Sequence, residues 1–312
     1  MQTHELSYLD YYLPQDAVPI ADMIEGLDDK AIPSLFGSKE DYLIFAESIL
    51  ELQDVRVEKQ LTEAEMLSNV LTKLFGSHDI QPGEIDLIIT TKEGEQDTKN
   101  SLIKFLQYQY KMSNAYVLNI TGNHCANMAV AWNMVRTLGS TVNNVLIMNV
   151  FKTGCPEERI IGSYGILNDG AGVMLLSRKP GLCSLTDSVI LSNGLLHKVD
   201  LEKDNSLLHL KYTVNSIKKL MTRNSTEPGQ IRVIVPQNAN ILLVSKAVME
   251  SKMDIRKIFT DNISRCGHVD SVDFIINLKD VLDKGRFDPG DKLLSLNIGW
   301  AGSYVSSLIS IN

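Results

Sequence analysis

Thr121-Gly122-Asn123-His124-Cys125-Ala126-Asn127-Met128-Ala129-Val130-Ala131-Trp132 follows directly on an apolar run from Ala115 to Ile120. The run predicts a strand and Gly-Asn a tight turn. The recurrence of Ala126, Ala129, Val130 and Met134 at helical spacing predicts a helix. A strand passing through a tight turn into a helix puts Cys125 at or near the helix N-terminus. Unpaired backbone N–H groups and the helix dipole there favour a thiolate and can donate to an oxyanion formed beside it. An isolated cysteine among small residues also serves as plain core packing, so the surrounding stretches must decide between nucleophile and filler.

Upstream, Pro82-Gly83-Glu84 leads into Ile85-Asp86-Leu87-Ile88-Ile89-Thr90-Thr91, the nearly continuous apolar run expected of a buried parallel strand. A helix over Lys99 to Tyr110 separates it from the Ala115 strand, and a further strand follows at Asn144 to Val150. That alternation predicts a layered α/β architecture. Earlier still, Glu63 to Phe75 carries Met66, Val70, Leu71 and Leu74 on one helical face, with Gly76 placed as a C-cap. Asp41 to Leu52 reads as another helix, and Tyr8, Tyr11 and Tyr12 give no chemical signal.

Downstream lies Leu167-Asn168-Asp169-Gly170-Ala171-Gly172-Val173-Met174-Leu175-Leu176. Its glycine pair predicts a tight turn with close backbone approach, and the apolar run a strand. A phosphate loop does not fit, because no Lys-Ser or Lys-Thr follows and the segment enters a strand rather than a helix. Asp169 reads as a brace for backbone N–H groups. From Pro180-Gly181 the plan repeats, with strands at Ser188 to Leu191 and Leu207 to Tyr212 and a helix at Asn215 to Arg223. A strand at Ile231 to Val235 precedes helices at Ala239 to Met249 and Asp254 to Ile263. Strands at Asp291 to Ile298 and Tyr304 to Ile311, joined by Gly299-Trp300-Ala301-Gly302, close the chain. The ending echoes residues 144 to 176, which points to internal duplication.

The 312 residues, 44% of them hydrophobic, can bury a substantial core. Thirty Lys and Arg stand against 38 Asp and Glu, a net charge of -8, which argues against a nucleic-acid or acidic-membrane surface. The start of the chain is polar and no apolar run approaches the roughly 18 residues that span a bilayer, so a cytoplasmic protein without membrane contact is expected. Cys125, Cys155, Cys183 and Cys266 are scattered and fit neither a disulfide scaffold nor a CxxC metal pattern. Cys266 and His268 form at most half a metal site, with no further ligands nearby. No metal is expected.

Three separated stretches, in order, resemble one family: the thiolase-fold condensing enzymes, and among them ketoacyl-ACP synthase III. Asn123-His124-Cys125-Ala126-Asn127, with its small-residue helix, is similar to that family's nucleophilic cysteine segment. Asn168-Asp169-Gly170-Ala171-Gly172-Val173 is similar to its Asp-Gly-Ala-Gly-Ala strand entry. Pro289-Gly290-Asp291-Lys292-Leu293-Leu294, followed by Gly299-Trp300-Ala301-Gly302, resembles its Pro-Gly-Asp strand and closing glycine turn. The resemblance implies a five-layered α/β/α/β/α thiolase-like fold of two similar halves. Residues 1–180 would carry the nucleophilic cysteine, and 181–312 would carry Gln237, His268 and the closing turn.

The resemblance further implies an obligate dimer, either a homodimer or a heterodimer with a homologous subunit. Cys125 would take an acyl group from acyl-CoA or an acyl carrier protein, the acyl-phosphopantetheine being substrate and no cofactor staying bound. The oxyanion would sit between the backbone N–H groups of Cys125 and Trp300.

Two catalytic positions depart from the family pattern. Its His-Gln-Ala-Asn stretch appears as Pro236-Gln237-Asn238-Ala239-Asn240, so Gln237 replaces the histidine; glutamine is no base, although its amide can donate to a thioester carbonyl. Its Gly-Asn motif appears as Gly267-His268, so an imidazole replaces the asparagine. His268 is then expected to deprotonate Cys125 and later an incoming hydroxyl, amine or thiol, with Asp270 or Asp273 fixing its tautomer. His124 is expected to be structural. Basic residues that usually follow the first motif are represented by Leu242, Met249 and Glu250, which does not suit the usual fatty-acid carrier protein. These departures favour acyl transfer to a heteroatom. Decarboxylative condensation with a malonyl thioester is the alternative, and an inactive partner subunit of a heterodimer is a third reading.

Overall fold

The structure is a computed structural model that describes residues 4–93, 101–139, 141–196 and 205–312. Among these residues nine strands form one mixed sheet. They are β1 (Glu5–Tyr12), β4 (Leu87–Thr90), β5 (Tyr116–Asn119), β6 (Asn144–Phe151), β9 (Gly170–Ser177), β10 (Cys183–Ser192), β11 (Ile231–Val235), β12 (Lys292–Gly299) and β13 (Ser303–Ile311). Two small two-stranded pairs, β2 (Ala17–Pro19) with β3 (Asp54–Arg56) and β7 (Ile160–Ile161) with β8 (Gly165–Ile166), lie outside it. The helices are α1 (Ile20–Glu25), α2 (Lys39–Ser48), α3 (Glu63–Ser77), α4 (Leu102–Gln109), α5 (Asn127–Val135), α6 (Ser206–Arg223), α7 (Ile241–Glu250), α8 (Ile263–Cys266) and α9 (Asp273–Lys284).

The sheet runs through one strand order twice. Residues 5–177 give β1-β9-β6-β4-β5, with β4 parallel to both neighbours and β9 antiparallel to both of its own. Residues 183–311 give β10-β13-β12-β11 with the same senses, and a parallel bridge from Ile234 to Ile258 stands where a fifth strand would lie. The two sets join through only Glu5 opposite Ser184 and Leu6 opposite Cys183. Helices α5 and α9 fill the space between the sets, where Met128, Trp132, Phe274 and Leu278 share one core with residues of both. Helix α3 covers the outer face of the first set, and α6 and α7 cover that of the second. The result is the five-layered, thiolase-like α/β/α/β/α arrangement.

Several expectations need correction. Leu207 to Tyr212 is the first part of α6 rather than a strand. Its buried stripe, His209, Thr213, Ser216, Ile217 and Leu220, is half polar, which hides the helical period from a hydrophobicity reading. Asp254 to Ile263 is not a helix: Asp254 caps one short turn over 255–257, and Phe259 N–H then donates to the Ile234 carbonyl at the sheet edge. Helix α3 runs through Gly76 to Ser77. Gly170 and Gly172 lie inside β9 rather than in a turn. Their packing is nonetheless close, since a Cβ at Gly170 would sit 2.7 Å from Val269 Cγ1. Strand β1, interior to the sheet, and α9 gave no legible signal. The N-terminal part of the helix expected from Lys99 lies outside the described residues.

Candidate active site

Cys125 sits in a short 3-10 turn, His124–Ala126, that runs straight into α5. The turn is held open against strain. Gly122 has φ +84° and His124, a non-glycine residue, φ +48°, a conformation that persists only where surroundings enforce it. One carboxylate oxygen of Glu93 accepts from Gly122 N–H at 2.9 Å, His124 N–H at 3.1 Å and Asn127 Nδ2 at 2.8 Å. The other end of the Asn127 amide accepts from Asn123 N–H at 3.0 Å. From the opposite side the closing turn presses on it: a Cβ at Gly299 would stand 2.0 Å from the Asn123 carbonyl oxygen. The His124 and Trp300 rings pack with centroids 4.5 Å apart.

His268 arrives from the other half of the chain. Gly267 before it has φ +58°, with no room for a side chain against Asn168, and the His268 carbonyl accepts from Asn168 N–H at 2.7 Å. The ring is thereby held with Nε2 3.2 Å from Cys125 Sγ and Nδ1 2.5 Å from Asp273 Oδ2. Asp273, fully buried at the start of α9, also accepts from Val269 N–H at 2.7 Å and Asn238 N–H at 2.8 Å. A carboxylate anchored this way makes Nδ1 the donor and leaves the Nε2 lone pair facing sulfur. Asp270 does not reach the ring nitrogen; it accepts instead from Asn149 Nδ2 at 3.2 Å.

Burial lowers the proton affinity of His268, but the charge of Asp273 and its hydrogen bond, with a smaller share from Asp270, raise it above the ordinary value. Burial, the charge of Asp270 and its hydrogen bond with the thiol, and the charge of Asp273 push Cys125 well above its usual range. The surroundings thus favour the thiol, against the thiolate expected of a cysteine at a helix N-terminus, because burial and the two nearby carboxylates outweigh the helix dipole.

Gln237 donates from Nε2 to the Cys125 carbonyl at 2.6 Å and accepts at Oε1 from Ile298 N–H at 2.7 Å. It thus ties the Cys125 backbone to β12, with one amide N–H left over. Trp300 lies in the Gly299–Gly302 turn and lines the same cavity as Cys125. That narrow cavity is walled by Ile161, Tyr164, Leu243, Val244, Leu296 and Ile298, with no Lys or Arg among its described lining residues. Beside it runs an open groove containing Leu35, Phe45, Leu207 and Leu242, which shares Asn240 and Leu243 with the cavity. Cys266 donates its thiol to the Asn262 carbonyl, and Asp169 braces the N–H groups of Glu58 and Thr153 while pairing with Arg159. Sequence reasoning missed Glu93 and Asn127. A glutamate three positions past the end of a strand and an asparagine two positions past a cysteine carry no signal until the chain is folded.

Residues 221–311 match the family model described as 3-Oxoacyl-[acyl-carrier-protein (ACP)] synthase III C terminal. Beta-ketoacyl-[acyl-carrier-protein] synthase III of Aquifex aeolicus is 21% identical over 304 residues, covering 92% of this chain and 93% of that one. Among solved structures, a variant of OleA from Xanthomonas campestris superimposes with TM-score 0.81 at 14% identity, over 99% of both chains. ChlB3, an acyltransferase by its description, does so with TM-score 0.78 at 16% identity, over 99% of this chain and 98% of that one. Across its length the chain resembles the ketoacyl-ACP synthase III group of thiolase-fold enzymes.

Proposed function

We propose that this thiolase-fold chain is an acyltransferase in which Cys125 accepts an acyl group from acyl-CoA or an acyl carrier protein and passes it to a heteroatom nucleophile. The observation that carries the reading is the line of contacts Cys125 Sγ, His268 Nε2, His268 Nδ1, Asp273 Oδ2, with separations of 3.2 and 2.5 Å, opening on an apolar cavity. As sulfur attacks the thioester carbonyl, its proton passes to Nε2, and Asp273 stabilises the imidazolium that forms. The tetrahedral oxyanion is held by the backbone N–H groups of Cys125 and Trp300, each such donor being worth about 3 kcal/mol in the transition state. The CoA or carrier thiol leaves with the proton from His268. In the second half His268, neutral again, deprotonates the acceptor.

Decarboxylative condensation is the second reading, favoured by the names of the relatives. Gln237 weighs against it, since its amide already bonds backbone at both ends and cannot act as the imidazole that the family keeps there. The reading also includes dimer formation. Strand β5 ends the sheet with Tyr116 48% exposed, and Phe105 and Tyr108 of α4 are 53% and 84% exposed; among the described residues no strand pairs with that edge, which is of the kind proteins cover. Incubation with a panel of acyl-CoAs should add one acyl mass to the intact chain, and Cys125→Ala should abolish the adduct. Carbon dioxide released from malonyl-CoA together with a carbon–carbon product would instead select the condensing reading.

A further inference from the structure

The Cys125 cavity has two unlike ends. At Asn240 and Leu243 it shares its wall with the open groove that carries Leu35, Leu207 and Leu242. Trp300 lines the cavity and, among the described residues, is no part of the groove, so it marks the end away from that opening. The turn that carries Trp300 is clamped on both sides. Gly299 has no room to move toward the Asn123 carbonyl, and the Ser303 hydroxyl donates to Asn123 Oδ1 at 3.0 Å. Asn193 N–H donates to the Gly302 carbonyl at 2.8 Å. The indole packs on the His124 ring at 41°, with centroids 4.5 Å apart. His124 is itself fixed by its left-handed backbone and by the bond from its N–H to Glu93. A large flat ring held this way does not yield to a ligand as a flexible methionine would.

Resting on the acyltransferase reading above, we propose that Trp300, held by His124, closes the acyl end of the cavity and makes the donor a short-chain acyl thioester. The thiol arm of such a donor is long and polar and enters from outside, which assigns it the end that opens on the groove. The acyl group leaves the carbonyl carbon in another direction, toward the indole. A chain that meets a rigid ring has to bend away or displace the ring from His124, and either cost grows with each methylene. The acyl group stays on Cys125 after the donor thiol has gone, so the same wall acts on both half-reactions. His124 is a positioning residue here: it acts through the indole, and its own nitrogens take no part in the transfer.

The full chain is offered butyryl-CoA and decanoyl-CoA at equal concentration, and both adducts are read by intact mass at early times. Each protein serves as its own reference, so a loss of folded material cancels from the ratio. Wild type should favour butyryl by about tenfold or more. Trp300→Ala should raise the decanoyl-to-butyryl ratio by about thirtyfold or more, since each methylene admitted gains about fourfold. Trp300→Phe keeps a smaller ring and should raise it by about three- to tenfold. His124→Asn, which suits the left-handed backbone, frees the indole and should raise it by about threefold. Wild type that loads decanoyl as well as butyryl overturns the assignment, and so does a Trp300→Ala ratio within threefold of wild type. If Trp300→Ala takes neither donor, Trp300→Phe decides by the same threefold limit. A change in Trp300→Ala that is equal for both chains but differs between CoA and N-acetylcysteamine thioesters would put the indole on the thiol arm and overturns it too. In each of these outcomes an adduct on Cys125 leaves the acyltransferase reading standing. Wild type that gains acyl mass from no member of the acyl-CoA panel overturns that reading and this proposal with it.

Discussion

At the scale of single residues, the chemistry depends on where one proton rests. Because Asp273 holds the affinity of His268 above its ordinary value, and the base must be neutral to act, activity should rise with pH through a midpoint above 6.5. Asp273→Asn removes that charge, so the acid limb should move to lower pH while the plateau falls by roughly 10² to 10⁴, as read from a kcat/KM profile. A residue that merely supported the fold would lower the plateau without moving the limb. Glu93 makes a different prediction. Glu93→Ala strips three donors of their acceptor and should cost about 2 kcal/mol of stability and slow acylation more than tenfold. Glu93→Gln keeps an acceptor oxygen and should recover most of the rate, measured by rapid-quench intact mass. Cys125, His268, Gln237 and both aspartates could be singled out in the sequence because the cysteine and the two departures fall at fixed positions in short motifs. The choice of Asp273 over Asp270 was not, since it depends on which carboxylate a helix start turns toward the ring.

At the scale of elements, the closing turn and the cysteine turn behave as one unit. Gly299→Ala would thrust a methyl group onto the Asn123 carbonyl. It should lower stability by about 1–3 kcal/mol and remove acylation, checked by a thermal melt beside the adduct assay. Strands and helices with a clean apolar period, such as β6, β12 and α3, were readable within a residue or two. Failures came where the buried face is polar. Ser216 Oγ meets Ser306 Oγ at 2.7 Å between α6 and β13, and such hydrogen-bonded burial looks like surface in a hydrophobicity pattern. The segment from Asp254 failed for another reason: its pairing with Ile234 is a tertiary contact that overrides local helix preference.

At the scale of the molecule, neither set of strands holds a complete site. Cys125 comes from residues before 180, and His268, Asp273 and Gln237 from residues after it, so their contacts exist only where the two sets meet. If β5 is the face that a second copy covers, charged substitutions there should break the assembly. Tyr116→Lys combined with Phe105→Lys should shift a dimer to monomer in multi-angle light scattering, leaving the melting temperature of the monomer within a few degrees. A species that stays dimeric would point to another face.

The seclusion of Cys125, 3% exposed and with its proton held tightly, has a practical side. Air, peroxide and iodoacetamide find mostly thiolate at open surfaces, so this sulfur should outlast the half-exposed Cys155 on the shelf and in any indiscriminate labelling. Tagging it selectively calls for a warhead carried on a greasy tail that suits the walls formed by Ile161, Leu243 and Val244.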